Sequence, residues 1–163
     1  MIKLPFYKQD TDYSCGPATL QMIFRFYGKF FSEKDLIKKL KTNRTTGTRH
    51  KALLDFACSN GFYVYINNES SLKEVAYLVG RKIPVIIHFI EPDSNDGHYA
   101  VIVGINKKHV ILDDPWNGKN FKITRKDFEE RWHSEDGSFV RWIMVVSDEY
   151  RHLGKQYLPK KKK

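Results

Sequence analysis

Apolar side chains at helical spacing dominate the first sixty residues. After Pro17, which suits the first turn of a helix, they recur at positions i, i+3, i+4 and i+7. This stripe consists of Leu20, Ile23, Phe24 and Tyr27. Gly28 follows as a C-terminal cap, Ser32 is the cap of a second short helix, and a third helix is predicted at about 49–59. The pattern therefore predicts three helices before any strand.

The rest of the chain has mainly the pattern of strands. Runs of β-branched and aromatic residues, separated by turn residues, are typical of strands. These runs are 62–66, 83–90, 97–105, 109–115, 121–123 and 139–146. A fourth helix is predicted at 71–79 and a helical turn or two at 126–133. Helices followed by an antiparallel sheet predict the α+β class, with one domain at 1–146 and a polar, Lys-rich tail at 147–163.

The composition is that of an ordinary globular domain. The 163 residues are 41% hydrophobic and 29% charged. The net charge is +9, but the lysines are spread along the chain and are not clustered with aromatic residues, so nucleic acid is not an expected partner. The longest apolar run, 83–90, is far shorter than the ~20 residues of a membrane-spanning helix, so no membrane span is expected.

Two cysteines are too few for a disulfide framework, although one bond between Cys15 and Cys58 is left open. The N-terminal residues have no apolar core long enough for a signal peptide. We therefore predict a reduced, cytoplasmic protein. The sequence has no Cys-x-x-Cys and no histidine pair at helical spacing, so neither a metal nor another cofactor is expected.

Cys15 lies at the N-terminus of the first predicted helix, in the run Ser14-Cys15-Gly16-Pro17. A structural cysteine would be expected further along, on an apolar face, as Cys58 is. A helix N-terminus favours the thiolate, which is the nucleophilic form. Gln9 lies on the loop that leads into Cys15, and its amide is a candidate oxyanion donor together with the backbone N–H of Cys15. A solvated loop position is the plainer interpretation of Gln9.

A thiol nucleophile also needs a base, and His98 is the candidate among six histidines because it opens the predicted strand 97–105. The base in turn needs an orienting group, and Asp113 and Asp114 both lie at the end of the next strand.

Strand parity distinguishes the two aspartates. If 106–108 is a three-residue loop, Ile105 pairs with His109, and Asp114 then shares the face of His98 while Asp113 points to the other side. A two-residue loop would reverse this choice.

These residues belong to a longer pattern that covers about 4–132. Its motifs are Gln9, Cys15-Gly16-Pro17-Ala18, Leu20, Phe26-Tyr27-Gly28, Gly47-Thr48, Ala57, Gly61-Phe62, Ile83-Pro84-Val85-Ile86, Gly97-His98-Tyr99-Ala100-Val101 and Asp114-Pro115. The pattern resembles the peptidase domain of bacteriocin exporters, a family of papain-like cysteine peptidases that cut leader peptides after a double glycine.

The resemblance implies a papain-like fold and a role for each candidate residue. Cys15 would be the nucleophile, His98 the general base and acid, Asp114 the orienting group and Gln9 the oxyanion donor. The chain departs from the family at Ser14, where an acid is usual, although Asp12 is nearby. No transmembrane segments and no ATPase motif of the G-x-x-x-x-G-K-[ST] type follow, so we expect a free-standing relative whose substrate need not be a leader peptide.

Three functions remain open at this point. The first is a cysteine peptidase acting on a peptide or protein substrate, the second is a papain-like acyltransferase, and the third is a non-catalytic peptide-binding module. Trp116 could line the cleft of any of them, but we favour core packing for it. The oligomeric state, a separate transporter partner and the role of the Lys-rich tail are not predicted.

Overall fold

Five helices lie in the part of the chain that the computed structural model describes, which is residues 1–154 and 156–160. They are α1 (Cys15–Phe26), α2 (Glu33–Lys39), α3 (His50–Ser59), α4 (Leu72–Gly80) and α5 (Arg125–Arg131). Ser and Thr side chains cap three of them, because the N-cap residues of α2, α4 and α5 each accept a hydrogen bond from the third residue of their helix. The N-cap of α1, Ser14, makes no such bond.

The strands form one antiparallel sheet. They are β1 (Tyr63–Asn67), β2 (Val85–Ile90), β3 (Gly97–Ile105), β4 (His109–Asp114), β5 (Gly118–Thr124), β6 (Ile143–Ser147) and β7 (Gln156–Tyr157). Their order across the sheet is β5-β4-β3-β2-β6-β1-β7, and every neighbouring pair is antiparallel. The predicted α+β class is confirmed. No helix among the described residues is long and apolar enough to cross a membrane.

The polar segment after β6 contains a strand that the sequence pattern did not predict. β7 pairs with β1 through Val64 and Tyr157, and the backbone N–H of Lys160 donates to the backbone carbonyl of Cys58 at 2.9 Å. Part of this segment therefore packs against the rest of the domain. The division of the chain at residue 146 stays a prediction, and most of the terminal lysine run, 161–163, lies outside the described residues.

The hairpin of β3 and β4 differs from the predicted register at its turn. Ile105 pairs with Val110 and not with His109, so the expected three-residue loop is wrong. A bulge between Ile102 and Gly104 then shifts the pairing by one residue, and Val101 lies opposite Asp113. Far from the turn, the register is therefore the predicted one.

The helix α1 packs against β3, and this contact brings the two halves of the chain together. Its inner face is fully buried and consists of Leu20, Met22, Ile23 and Phe24. Burial of large apolar side chains of this kind stabilises the domain by roughly 1.5–3 kcal/mol each. The contact places residues of α1 and of β3 at one cleft.

Candidate active site

Cys15 is the first residue of α1 and is half-buried. The hydroxyl of Ser14, which precedes it, accepts hydrogen bonds from the Thr11 hydroxyl at 2.7 Å and the Thr11 backbone N–H at 3.2 Å. This hydroxyl therefore does not cap the helix. Cys15 therefore lies at the positive end of the helix dipole, where no hydrogen bond from the Ser14 side chain caps the helix.

The residue after Cys15 must be small. A Cβ atom at Gly16 would lie 2.4 Å from the hydroxyl oxygen of Thr48. Thr48 is itself held in place, because its carbonyl accepts the Tyr99 hydroxyl at 2.7 Å. Gly16 thus lets the start of α1 approach the loop that forms one wall of the cleft. The Cys-Gly-Pro and Gly-Thr motifs indicated these positions but not their contact.

His98 and Asp114 form a buried pair. The Nε2 atom of His98 lies 2.6 Å from Oδ1 of Asp114, and the residues are 6% and 0% exposed. The carboxylate also accepts the backbone N–H groups of Trp116 and Asn117, at 2.8 and 3.1 Å. Asp114 is therefore fixed in position, and it orients the imidazole ring.

The electrostatics of this pair favour a charged imidazolium. Burial lowers the pKa of His98, but the negative charge of Cys15 and the hydrogen bond to Asp114 outweigh burial and raise the pKa to about 10. Burial likewise raises the pKa of Asp114, and the hydrogen bond and positive charge of His98 outweigh it, so the pKa is lowered. His98 and Asp114 thus stabilise each other's charged form.

Asp113 has a different environment. One of its oxygens accepts the backbone N–H of Asn120 at 3.0 Å, and the other has no hydrogen-bond partner in the described part of the chain. Burial raises the pKa of the Asp113 carboxyl. Of the two aspartates, Asp114 is the one that bonds to His98.

Gln9 lies in the same cleft as Cys15 and His98. It is 7% exposed, so the alternative of a solvated loop residue is wrong. Its backbone N–H donates to the carbonyl of Pro115 at 3.0 Å, and its side-chain Nε2 donates to the carbonyl of Thr11 at 2.7 Å. An amide nitrogen carries two hydrogens, so one N–H of Gln9 remains for a further acceptor.

The cleft has a volume of about 580 Å³. Trp116 lines it and is 47% exposed, so our preference for core packing was wrong. The other wall is the loop 44–48. One basic and four acidic residues line the cleft: Arg44, Asp12, Glu91, Asp96 and Glu135.

Two features near the site were not predicted from the sequence. Glu33, on α2, is buried and binds the backbone of the loop that carries Gln9. His50 and His88 form a partly buried pair of histidines, with His88 in the wall of the cleft. Both thiols are free, and no group of three or more His, Cys, Asp or Glu side chains within 1–154 and 156–160 is arranged to hold a metal ion.

Helices packed on an antiparallel sheet, with a cysteine at the start of the first helix and a histidine near the start of a strand, are typical of the papain-like fold. A family model described as the Peptidase_C39 like family matches residues 1–138, and the chain belongs to this family. The transport/processing ATP-binding protein ComA of Streptococcus pneumoniae is 30% identical over 139 residues. The match covers 84% of this chain but only 18% of ComA, so the chain spans less than a fifth of this relative's length.

Solved structures share the fold. The peptidase domain of Streptococcus ComA has a TM-score of 0.72 at 23% identity, covering 91% of this chain and 100% of that one. A double glycine motif protease from an AMS/PCAT transporter, in complex with its leader peptide, has a TM-score of 0.70 at 22% identity, covering 89% and 91%. The predicted papain-like fold is therefore confirmed, and so is the resemblance to the peptidase domains of exporters.

Proposed function

We propose that this protein is a cysteine peptidase that cleaves a peptide bond through Cys15, His98 and Asp114. The observation that carries the proposal is the buried His98–Asp114 pair, joined at 2.6 Å, in the same cleft as a cysteine at an uncapped helix N-terminus. The family supports this assignment. The domain at 1–146 and the cytoplasmic location are part of the same proposal.

The proposal gives a task to each ring nitrogen of His98. Nε2 is bonded to Asp114, so Nδ1 exchanges the proton with Cys15 and with the leaving group. The Cys15 thiolate attacks the carbonyl carbon of the substrate, and the carbonyl oxygen becomes an oxyanion. The backbone N–H of Cys15 and the free N–H of Gln9 stabilise this charge.

The remaining steps release the two products. His98 protonates the leaving amine as the C–N bond breaks, and the acyl group stays on Cys15 as a thioester. Water then attacks the thioester while His98 accepts its proton. The thiolate leaves, the carboxylic acid product is released, and the imidazolium–thiolate pair is restored.

The pH dependence of alkylation by iodoacetamide tests the nucleophile. Mass spectrometry reads Cys15 and Cys58 separately, and Cys58 is the internal reference because burial raises the pKa of its thiol. We expect Cys15 to be alkylated rapidly below pH ~8.5, the ordinary thiol range. His98→Ala should abolish this fast reaction. Equal reaction of both thiols at every pH would contradict the proposal and favour a binding module.

Cys15→Ala is the matched test of activity. It should abolish hydrolysis while leaving the unfolding temperature close to that of the unmodified protein, because the side chain is half-buried at a helix end. A marked loss of stability would instead assign Cys15 a structural role.

Peptides are the proposed substrates, and leader-like peptides that contain a double glycine are the first to test. The related protease in complex with its leader peptide supports this choice. Product analysis in the presence of an added amine separates the two catalytic alternatives. A free carboxylic acid indicates a peptidase, whereas an amide with the added amine indicates an acyltransferase.

A further inference from the structure

Glu33 is a buried carboxylate next to the catalytic loop. It is the first residue of α2 and is only 6% exposed. Its two oxygens lie 3.0 and 3.2 Å from the backbone nitrogen of Asp10, the residue that follows Gln9. A residue on a separate helix thus contacts the backbone directly after the proposed oxyanion donor.

Besides the exposed ion pair of Asp12 with Arg44 at 3.1 Å, three contacts hold the loop between Gln9 and Ser14. Glu33 accepts the backbone N–H of Asp10, the Gln9 backbone N–H donates to Pro115, and the Ser14 hydroxyl accepts from Thr11. The second contact joins the loop to the turn after Asp114, and the third joins it to the start of α1. The contact with Glu33 is the one of these three that is made by a side chain from outside the loop.

Stability alone does not favour a carboxylate at this position. Burial, and then the carboxyl of Asp10, raise the pKa of Glu33 to about 7. The fold therefore disfavours the charged form, and an amide or an apolar side chain would avoid that cost. The carboxylate offers two acceptor oxygens to one N–H group, which restricts the position of Asp10 and of the neighbouring Gln9.

We infer that Glu33 is a positioning residue, which holds the loop so that the Gln9 amide faces the developing oxyanion. The inference rests on the proposed function. Glu33 acts through Gln9 and does not touch the reacting atoms. Its loss should therefore slow attack on a carbonyl, which needs the oxyanion donor, and spare alkylation, which needs only the thiolate.

The test compares two reactions of the same thiol. Acetylation of Cys15 by p-nitrophenyl acetate passes through an oxyanion, whereas its alkylation by iodoacetamide does not. Mass spectrometry of the Cys15 peptide gives both rates, so the result is independent of the unknown peptide substrate. Glu33→Met removes both acceptor oxygens at similar length, and Glu33→Gln keeps one. Asp35→Asn is the control, because it removes a carboxylate from an exposed position in the first turn of α2.

We expect Glu33→Met to slow acetylation about 10- to 100-fold, the scale of a small misplacement of a catalytic group. Glu33→Gln should recover part of this loss, and Asp35→Asn should show none. Alkylation should stay within about twofold in all three variants, because distant contacts barely affect the thiolate. Equal slowing of both reactions would mean that Glu33 only supports the fold, and it would overturn the inference.

A double-mutant cycle with Gln9→Ala tests whether Glu33 acts on the reaction through Gln9. If Glu33 acts through Gln9, then Glu33→Gln should slow acetylation by less than about twofold once Gln9 is alanine. Independent, multiplying losses would overturn the inference. This cycle also covers the case in which Glu33→Met does not fold.

The same measurements distinguish failure of the proposed function from failure of this inference. If Cys15 is not acetylated faster than Cys58 in the unmodified protein, the proposed function itself fails. If Cys15 is acetylated faster, and the Glu33 variants react at the rate of the unmodified protein, only this inference fails.

Discussion

Two histidine sites lie at the same cleft, the buried pair of His98 with Asp114 and the partly buried pair of His50 with His88, and the pKa shifts of their histidines are opposite. At one site the partners are charged, and the pKa of His98 is raised to about 10. At the other site His50 and His88 bond to each other at 2.7 Å among aromatic rings, and burial lowers their pKa values to about 4 and about 3. Burial acts in the same direction at both sites, so it is the charged partners that give His98 a different chemistry.

The aromatic surroundings explain why the second pair stays neutral. The ring of His50 stacks on Trp142 at 4.1 Å and meets Phe139 edge-on at the same distance. The ring centroids of His88 and Tyr99 lie 4.7 Å apart. An N–H group of one imidazole ring donates a hydrogen bond to a nitrogen of the other, and the Nδ1 atom of His50 has no hydrogen-bond partner among residues 1–154 and 156–160. The negative charge of Asp136 raises the pKa of both rings, but burial outweighs it, and neither ring has a buried carboxylate bonded to it as His98 has.

Removing Asp114 should make the environment of His98 resemble that of His50 and should have the largest effect. We expect Asp114→Ala to lower the rate of hydrolysis by about 10²–10⁴-fold, because His98 loses both its orientation and its counter-charge. Asp114→Asn keeps an acceptor without the charge and should lose less. The rate of Cys15 alkylation, measured across the pH range, should show in both variants that His98 has become a weaker base.

Asp113→Ala is the matched control for these variants. It removes the neighbouring carboxylate, which binds Asn120 and not His98. Hydrolysis should change by no more than a few fold, although stability can fall because the Asn120 N–H loses its acceptor. Equal losses of activity on changing Asp113 and Asp114 would refute the assignment of the orienting group.

Gln9→Ala should have the next largest effect and should leave the His98 site intact. Loss of one oxyanion donor costs about 10²–10³-fold in rate. The pH profile of Cys15 alkylation should not move, because the thiolate and His98 keep their surroundings. Gln21, a buried glutamine on α1, gives the control variant Gln21→Ala. A shifted alkylation profile in Gln9→Ala would mean that Gln9 supports the thiolate and not the oxyanion.

Much of the His98 site was predictable, because its residues lie at the ends of helices and strands. The local sequence pattern indicates where these ends are. Cys15 precedes a helix-starting proline, and His98 opens a strand. The choice of Asp114 over Asp113 agrees with the observed contact, although the loop assumed for it was wrong. The bulge between Ile102 and Gly104 offset that error.

The remaining contacts depend on packing between distant segments. Glu33 meets Asp10 across 23 residues of sequence, and His50 meets His88 across 38. No spacing rule marks such pairs, because separate helices and strands bring them together only in the folded protein. The exposure of Trp116 is of the same kind, since only the folded cleft shows that its ring faces solvent.

The second histidine pair should affect stability in acid and not catalysis, which is the smallest of the expected effects at neutral pH. The pKa values of His50 and His88 are lower in the folded protein than the ordinary 6.5. Their contribution to stability is therefore complete above pH 6.5 and is lost as the pH falls through about 4 toward 3. Each histidine adds a slope of up to about 1.4 kcal/mol per pH unit to the free energy of unfolding in this window.

His50→Phe tests this difference between the two sites. Phenylalanine fits an aromatic cluster and cannot take up a proton, so urea unfolding between pH 6.5 and 4 should show a shallower loss of stability. The slope is the quantity to compare, because the variant also leaves Nδ1 of His88 without its partner at every pH. His109→Gln, which changes the first residue of β4, is the control and should keep the original slope. An unchanged slope in His50→Phe would mean that His50 and His88 already take up protons in the folded protein. The two histidine sites would then both carry charge and would differ only in where that charge lies.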